Sequence, residues 1–162
     1  MQDSFGAYLN GEAYQLTPLN EAVAAGAAYA MALTTGDCLV LMDSRSVVTS
    51  CDEFALHAYD AQTFTGGTPT PMVNRNRRYK DKVPTFTAFG DVATTPTGDP
   101  FSVAELSPGN GNAVINFLGE VGNIWMFAPS TTYTLILTNN AAQAHNFKFQ
   151  LVLRCIMQSE VN

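Results

Sequence analysis

The side chains most able to move a proton near neutral pH are His57 and His145, and neither has a second histidine at ligand spacing. Both are expected to be structural or solvent-facing. Asp52 and Glu53 are two carboxylates in sequence, but neighbours on an extended chain point to opposite faces and cannot share a proton. No Gly-x-Ser-x-Gly elbow is present to expose a nucleophilic serine. Gly109-Asn110-Gly111 is glycine-rich like a phosphate loop, yet no Gly-Lys-Ser/Thr follows it, so it reads as a turn. Cys38, Cys51 and Cys155 are odd in number, far apart and without a Cys-x-x-Cys pair. They are expected to be unpaired, buried and metal-free. No catalytic constellation assembles, and neither an enzyme nor a cofactor is expected.

A different chemistry is concentrated in one place. Arg75, Arg77, Arg78, Lys80 and Lys82 are five of the eight basic residues, with Tyr79 among them and only Asp81 opposing. The formal charge of the whole chain is −6, so a body of −10 carries one basic segment. Arg forks onto carboxylates in a directed way and Lys adds point charge. Residues 71–82 are therefore expected to grip an acidic protein surface. Nucleic acid is disfavoured, because the acidic body repels a long polyanion. Trp125 and Tyr133, with Phe127 nearby, form the other possible binding surface, a stacking platform for sugars. At this aromatic density a core role is the expectation.

The elements that must position these residues read as strands. Phe147, Phe149, Leu151, Leu153 and Cys155 alternate with Lys148, Gln150, Val152, Arg154 and Ile156, the period of a half-buried strand. Tyr133-Thr134-Leu135-Ile136-Leu137-Thr138 precedes it, and the polar stretch between them suggests an antiparallel hairpin. Tyr29, Met31 and Leu33 alternate with alanine, and Thr34-Thr35-Gly36-Asp37 reads as a tight turn into Cys38-Leu39-Val40-Leu41-Met42. Phe54-Ala55-Leu56-His57-Ala58-Tyr59, Pro84 to Phe89, Val114 to Phe117 and Asn123 to Phe127 are further strands. Ala13 to Thr17 is a weaker one, and the Ala-rich residues 19–28 suggest a helical turn or an irregular crossing.

About eight short strands without a long helix predict an all-β fold, an antiparallel two-sheet β-sandwich or jelly roll. One domain spans residues 1–162, with an N-terminal extension over about 1–27 and a long basic loop over about 63–83. Charged residues make up 14% of the chain, below the roughly 25% usual for soluble domains, and Thr and Asn carry much of the polarity. No apolar run reaches the roughly 18 residues that span a bilayer, so no membrane contact is expected. Met1-Gln2-Asp3-Ser4 lacks a basic leader, which points to a cytoplasm. The outer face of the last strand, Lys148, Val152, Arg154 and Ile156, is too apolar to be wholly solvated and is expected to be an oligomer contact.

Two stretches carry a family resemblance. Phe54 to Tyr59, a Thr/Gly/Pro loop and Pro71-Met72-Val73-Asn74-Arg75-Asn76-Arg77 form the first. The closing Phe127-Ala128-Pro129-Ser130-Thr131-Thr132-Tyr133-Thr134-Leu135-Ile136-Leu137-Thr138-Asn139 forms the second. Together they resemble small tailed-phage virion proteins of the capsid decoration, or cement, type, over about residues 54 to 156. The resemblance implies a homotrimeric β-sandwich, assembled in a host cytoplasm, that sits on the capsid exterior and braces neighbouring major capsid proteins. A carbohydrate-binding sandwich module of a head or tail fibre, using Trp125 or Tyr133, is the alternative.

Overall fold

The structure is a computed structural model that describes residues 4–17, 19–106, 114–118 and 125–156. A short helix, α1 (Ser4–Leu9), precedes thirteen strands: β1 (Ala13–Leu16), β2 (Leu19–Val23), β3 (Ala28–Thr34), β4 (Leu39–Thr49), β5 (Phe54–Tyr59), β6 (Thr68–Pro69), β7 (Met72–Asn74), β8 (Thr87–Gly90), β9 (Ser102–Leu106), β10 (Val114–Leu118), β11 (Trp125–Phe127), β12 (Thr132–Asn139) and β13 (His145–Ile156). A 3-10 turn, Arg77–Tyr79, lies between β7 and β8.

Two antiparallel sheets face each other. The first runs β10-β4-β13-β1-β7, with β11 also on β4 and β2 also on β13. The second runs β6-β8-β3-β12-β5-β9. From β2 to β5 and from β11 to β13 the chain changes sheet at every step, whereas β5 and β9 lie side by side in the second sheet across a long connection. With β6, β7 and β8 set aside as an insertion, and with β1/β2 along β13 and β10/β11 along β4 each counted as one strand, this order is that of an eight-stranded jelly roll, so the predicted all-β two-sheet sandwich is what the chain forms.

The alternating pattern of β13 is obeyed on its inner face, where Phe147, Phe149, Leu151, Leu153 and Cys155 are all buried. Its expected hairpin with β12 does not form. β12 pairs with β3 and β5 in the second sheet, whereas β13 pairs with β4, β1 and β2 in the first. Asn139 turns the chain from one sheet to the other: fully buried, it donates from Nδ2 to the Val23 and Gln143 carbonyls and accepts from the Ala141 amide. The expected β3–β4 hairpin is likewise a crossing between sheets, held where Thr35 Oγ1 donates to Ala128 O at 2.7 Å. Alternation says which face of a strand is buried, not which strand lies beside it.

Residues 19–28 hold strand β2 rather than a helical turn, and with β1 they place much of the expected N-terminal extension inside the first sheet. The expected long basic loop is also structured. Within the insertion between β5 and β9, β7 extends the first sheet beside β1, while β8 and β6 extend the second beside β3. Between them Phe86 is inserted at 1% exposure, edge-on to Tyr14 with ring centroids 5.6 Å apart. The insertion thereby closes one side of the sandwich and covers two edges that would otherwise offer unpaired backbone groups.

Cys38 and Cys155 are joined in a disulfide, and Cys51 is free and buried. This corrects the expectation of three unpaired thiols. Spacing along the chain hides the pair, because Cys38 lies just before β4 and β13 brings Cys155 opposite Val40. Thr85 Oγ1 lies 2.8 Å from Cys38 Sγ, and Gly36 lets the Thr85 carbonyl press against the chain where a Cβ would overlap it. The bridge closes a separation of 117 residues, for which chain entropy gives roughly 4–5 kcal/mol of stabilisation. Reduction should therefore lower the thermal midpoint by about 8–20 °C in calorimetry. An unchanged midpoint in reductant would show that the bridge contributes nothing.

Candidate functional site

The basic segment is a mounted turn, and its mount is built from two asparagines. Asn74, at the end of β7, is 2% exposed. Its Nδ2 donates to Gly11 O at 2.8 Å and its Oδ1 accepts from the Asn76 amide at 2.9 Å. Asn76 caps the 3-10 turn by accepting from the Arg78 amide at 3.1 Å. Its own Nδ2 donates to the Tyr8 and Leu9 carbonyls at the end of α1. Short Asx side chains that bond backbone two residues on are the usual means of fixing such a turn. Gly11 completes the joint at φ +69: a Cβ there would stand 2.5 Å from Tyr79 Cγ, so the absent side chain lets the tyrosine lie against the backbone.

The mount divides the expected partner-binding residues into two groups. Arg75 and Lys82 are exposed but reach across the surface to α1 and its neighbours. Arg75 Nη1 lies 3.4 Å from Gln15 Oε1 and its guanidinium stands 5.5 Å from the centre of the Tyr8 ring. Lys82 Nζ donates to Asn10 O at 3.2 Å and lies 3.7 Å from a Glu12 carboxylate oxygen. The side chains of Arg77, Arg78 and Lys80 are exposed and have no hydrogen bond or ion pair among the described residues. Tyr79, 43% exposed, sits with them. Three exposed cations without a partner among the described residues thus project from this turn, beside the Tyr79 ring that lies against Gly11 with its other side exposed.

The expected oligomer contact is changed by the same neighbourhood. Lys148 is exposed and Ile156 half-buried, but Val152 and Arg154 are buried at 4% and 7% exposure within the chain itself. β4 carries one extra residue opposite the Val152/Leu153 step, which leaves Asp43 out of register. Arg154 Nε donates to Asp43 Oδ1 at 2.8 Å. Burial raises the pKa of Tyr8, while Arg75 acts to lower it and Asp43 to raise it, so α1 stands within electrostatic reach of the pair. Val152 and Arg154 are therefore unavailable to a second copy.

Trp125 and Tyr133 do not form an open platform. The Arg45 guanidinium lies 3.8 Å from the centre of the Trp125 ring, and Phe101 meets Trp125 edge-on at 4.9 Å. Burial pulls the Arg45 pKa below its ordinary value. Tyr133 is 8% exposed, packs 4.4 Å from Phe127 and accepts from the Ala128 amide. His57 lies 3.7 Å from Glu105 Oε1, and His145 Nδ1 lies 3.3 Å from Ser50 Oγ, so the histidines stay apart. Gly109-Asn110-Gly111 lies outside the described residues. Among the described residues no group of three or more His, Cys, Asp or Glu could hold a metal ion, and no helix is long and apolar enough to cross a membrane. Sequence reasoning found the cations but missed the mount; the signal was Asn74-x-Asn76, two turn-forming side chains just before the arginines.

No family model and no curated protein matches the chain. Among solved structures it is similar to a chain titled "Structure of infectious bursal disease virus Gx strain", at 12% identity and a TM-score of 0.12, over 92% of this chain and 41% of that one. The chain thus spans less than half the length of that neighbour, and a likeness this slight carries no argument.

The mount makes its own prediction. Replacing Asn74 with Ala leaves the Gly11 carbonyl and the Asn76 amide without their partners, at about 1–3 kcal/mol for each buried group. Asn74→Ala should lower the unfolding free energy by roughly 2–4 kcal/mol in a denaturant titration. Amide exchange over residues 75–82 should quicken with it. Unchanged exchange there would show that the turn is held by something else.

Proposed function

We propose that the protein is a structural virion component of the decoration type, which binds the outside of an icosahedral phage shell and braces neighbouring major capsid subunits. The observation that carries this reading is the display of Arg77, Arg78 and Lys80, with no partner among the described residues, on a turn that Asn74 and Asn76 hydrogen-bond in place. A side chain with no internal role gains a favourable contact only from outside the chain, and a mount fixed in advance lowers the ordering cost of binding. Guanidinium forks select carboxylates, so the fitting partner is an acidic patch on a protein. The acidic body works against a nucleic-acid partner, as the charge distribution of the sequence already implied. Jelly rolls serve among viral capsid and lectin domains, which admits the reading but does not assign it. The resemblance of residues 54 to 156 to decoration proteins supplies the particular shell.

In this reading Arg75 and Lys82 belong to the mount, and the gripping residues are Arg77, Arg78 and Lys80 with Tyr79 beside them. Changing Arg77, Arg78 and Lys80 together to Ala should weaken binding to capsids at least tenfold in a co-sedimentation titration. Circular dichroism should not change. Raising salt above the physiological range should weaken the wild type in the same direction. Undiminished decoration by the triple variant would end the proposal. The homotrimer that the resemblance implies must use residues other than Val152 and Arg154, and a mass of 17.4 kDa by light scattering would exclude it.

A further inference from the structure

The outer face of the second sheet carries a groove of about 530 Å³, within the roughly 300–1,000 Å³ range of small-molecule sites. Its floor is Ala28 and Ala30 of β3 with Ile136 of β12, side chains short enough to leave the sheet surface low. Its walls are two limbs of the insertion, residues 63–65 and 91–95, with the Phe64 ring in one of them. We infer that this groove is a binding site for a neutral saccharide.

The walls are built rather than loose. Thr65 and Ala93 exchange both backbone hydrogen bonds, at 2.9 and 3.0 Å. The Val92 amide donates to Ala30 O at 3.1 Å, which ties the second limb to the floor. Thr94 Oγ1 donates to Thr63 O at 2.8 Å and ties the limbs to each other. Phe64 packs against Phe89 with centroids 5.5 Å apart. Asp91 is held at φ 55, in the left-handed region, next to Gly90, where the Tyr29 hydroxyl occupies the space a side chain would need. A non-glycine residue fixed there is uncommon and is maintained only by its surroundings.

The groups left over define the ligand. The hydroxyls of Thr63, Thr65 and Thr95 and the carboxylate of Asp91 are solvent-exposed around the rim and have no hydrogen-bond partner among the described residues, so a ligand would exchange their water for its own hydroxyls. Asp91 accepts, and the threonines both donate and accept. Among the described residues no lysine, arginine or histidine lines the groove, and Asp91 places there a carboxylate that repels an anion. An apolar floor, an aromatic wall and a rim of hydroxyls match a sugar ring, whose C–H face is apolar and whose edge is hydroxylated. The site is separate from Arg77, Arg78 and Lys80, so the inference stands whether or not the protein decorates a shell.

The test is amide chemical-shift perturbation on the full chain with methyl β-D-glucopyranoside, N-acetylglucosamine and maltotriose, and glucuronate as the anionic control. At least one neutral sugar should shift residues 63–65 and 91–95 with saturation in the millimolar range, and glucuronate should bind at least tenfold more weakly. Asp91→Asn retains a residue that tolerates the left-handed region and should weaken binding about tenfold or more. Ala28→Tyr, at an exposed position, should fill the groove and abolish the shifts. If Ala28→Tyr does not fold, Asp91→Asn alone decides. The inference is overturned if none of the three sugars perturbs these amides at its solubility limit, if the shifts survive Asp91→Asn unweakened, or if glucuronate reproduces them. Loss of capsid binding by Ala28→Tyr without any sugar response would give the groove to a protein partner and also overturn it.

Discussion

One extra residue in β4 sets which side chains of β4 and β13 meet on the outer side of the first sheet. β13 is paired with β4 over almost its whole length, and the register shifts once, at the Val152/Leu153 step. The shift leaves Asp43 unopposed and brings its carboxylate to Arg154 on the outer side of the sheet. Such a pair adds little net stability, because desolvation offsets the attraction, but removing one partner typically costs about 3–5 kcal/mol. The other carboxylate oxygen of Asp43 is buried without a hydrogen bond among the described residues, so the pair specifies an arrangement more than it stabilises one. α1 lies beside it, with Ala7 fully buried and Tyr8 half-buried within reach of both charges. The last carbonyls of that helix are what Asn76 binds. A bulge, an ion pair, a helix end and a basic turn thus form one chain of dependence.

The insertion between β5 and β9 does the complementary work. Closing the sandwich beside β1 and β3 requires strands in both sheets and an aromatic side chain between them, which β7, β8 and Phe86 provide. The two ends of the insertion then return over the outer face of the second sheet. There Gln62 holds them together, donating from Nε2 to Thr97 O and accepting from the Thr97 amide. Ordering so long a connection costs backbone entropy at every residue. The cost is offset locally by ladder hydrogen bonds, by burial of Phe86, Ala88 and Val92, and by the asparagine and glutamine turns, so the segment is ordered without a partner.

Much of the fold was legible because strand faces follow side-chain period. β5 was read with its observed bounds and the inner face of β13 residue by residue, since both depend only on local alternation. Pairing was not legible. Both expected hairpins turned out to be crossings, because a short polar connection is equally compatible with a turn within a sheet and an arch between sheets. The Asn139 side chain decides between them, and its partner Val23 is 116 residues away in sequence. The same limit hid the disulfide and the Asp43–Arg154 pair, both of which depend on the β4–β13 register. At the basic segment the charges were legible and their division was not. Which cations are engaged follows from where α1 ends, and residues 1–27 gave only a weak pattern.

The placement of the two proposed sites follows from that division. The basic turn continues from β7 at the edge of the first sheet and rests on α1, which lies by the outward-facing Asp43–Arg154 pair. The groove has its floor on the outward side chains of β3 and β12 in the second sheet. The basic turn joins β7 of the first sheet to β8 of the second, with Lys80 beside Pro69, Thr87 and Phe89 of the second sheet, so it stands at the closed side of the sandwich and shares no lining residue with the groove. The charges support the same separation: the groove contributes only Asp91, and every cation of the basic segment lies between β7 and β8. An acidic surface attracted to the turn has nothing to attract it to the groove, and a neutral ligand in the groove neither screens nor competes with the turn. The insertion that closes the sandwich is also what keeps the two surfaces chemically distinct.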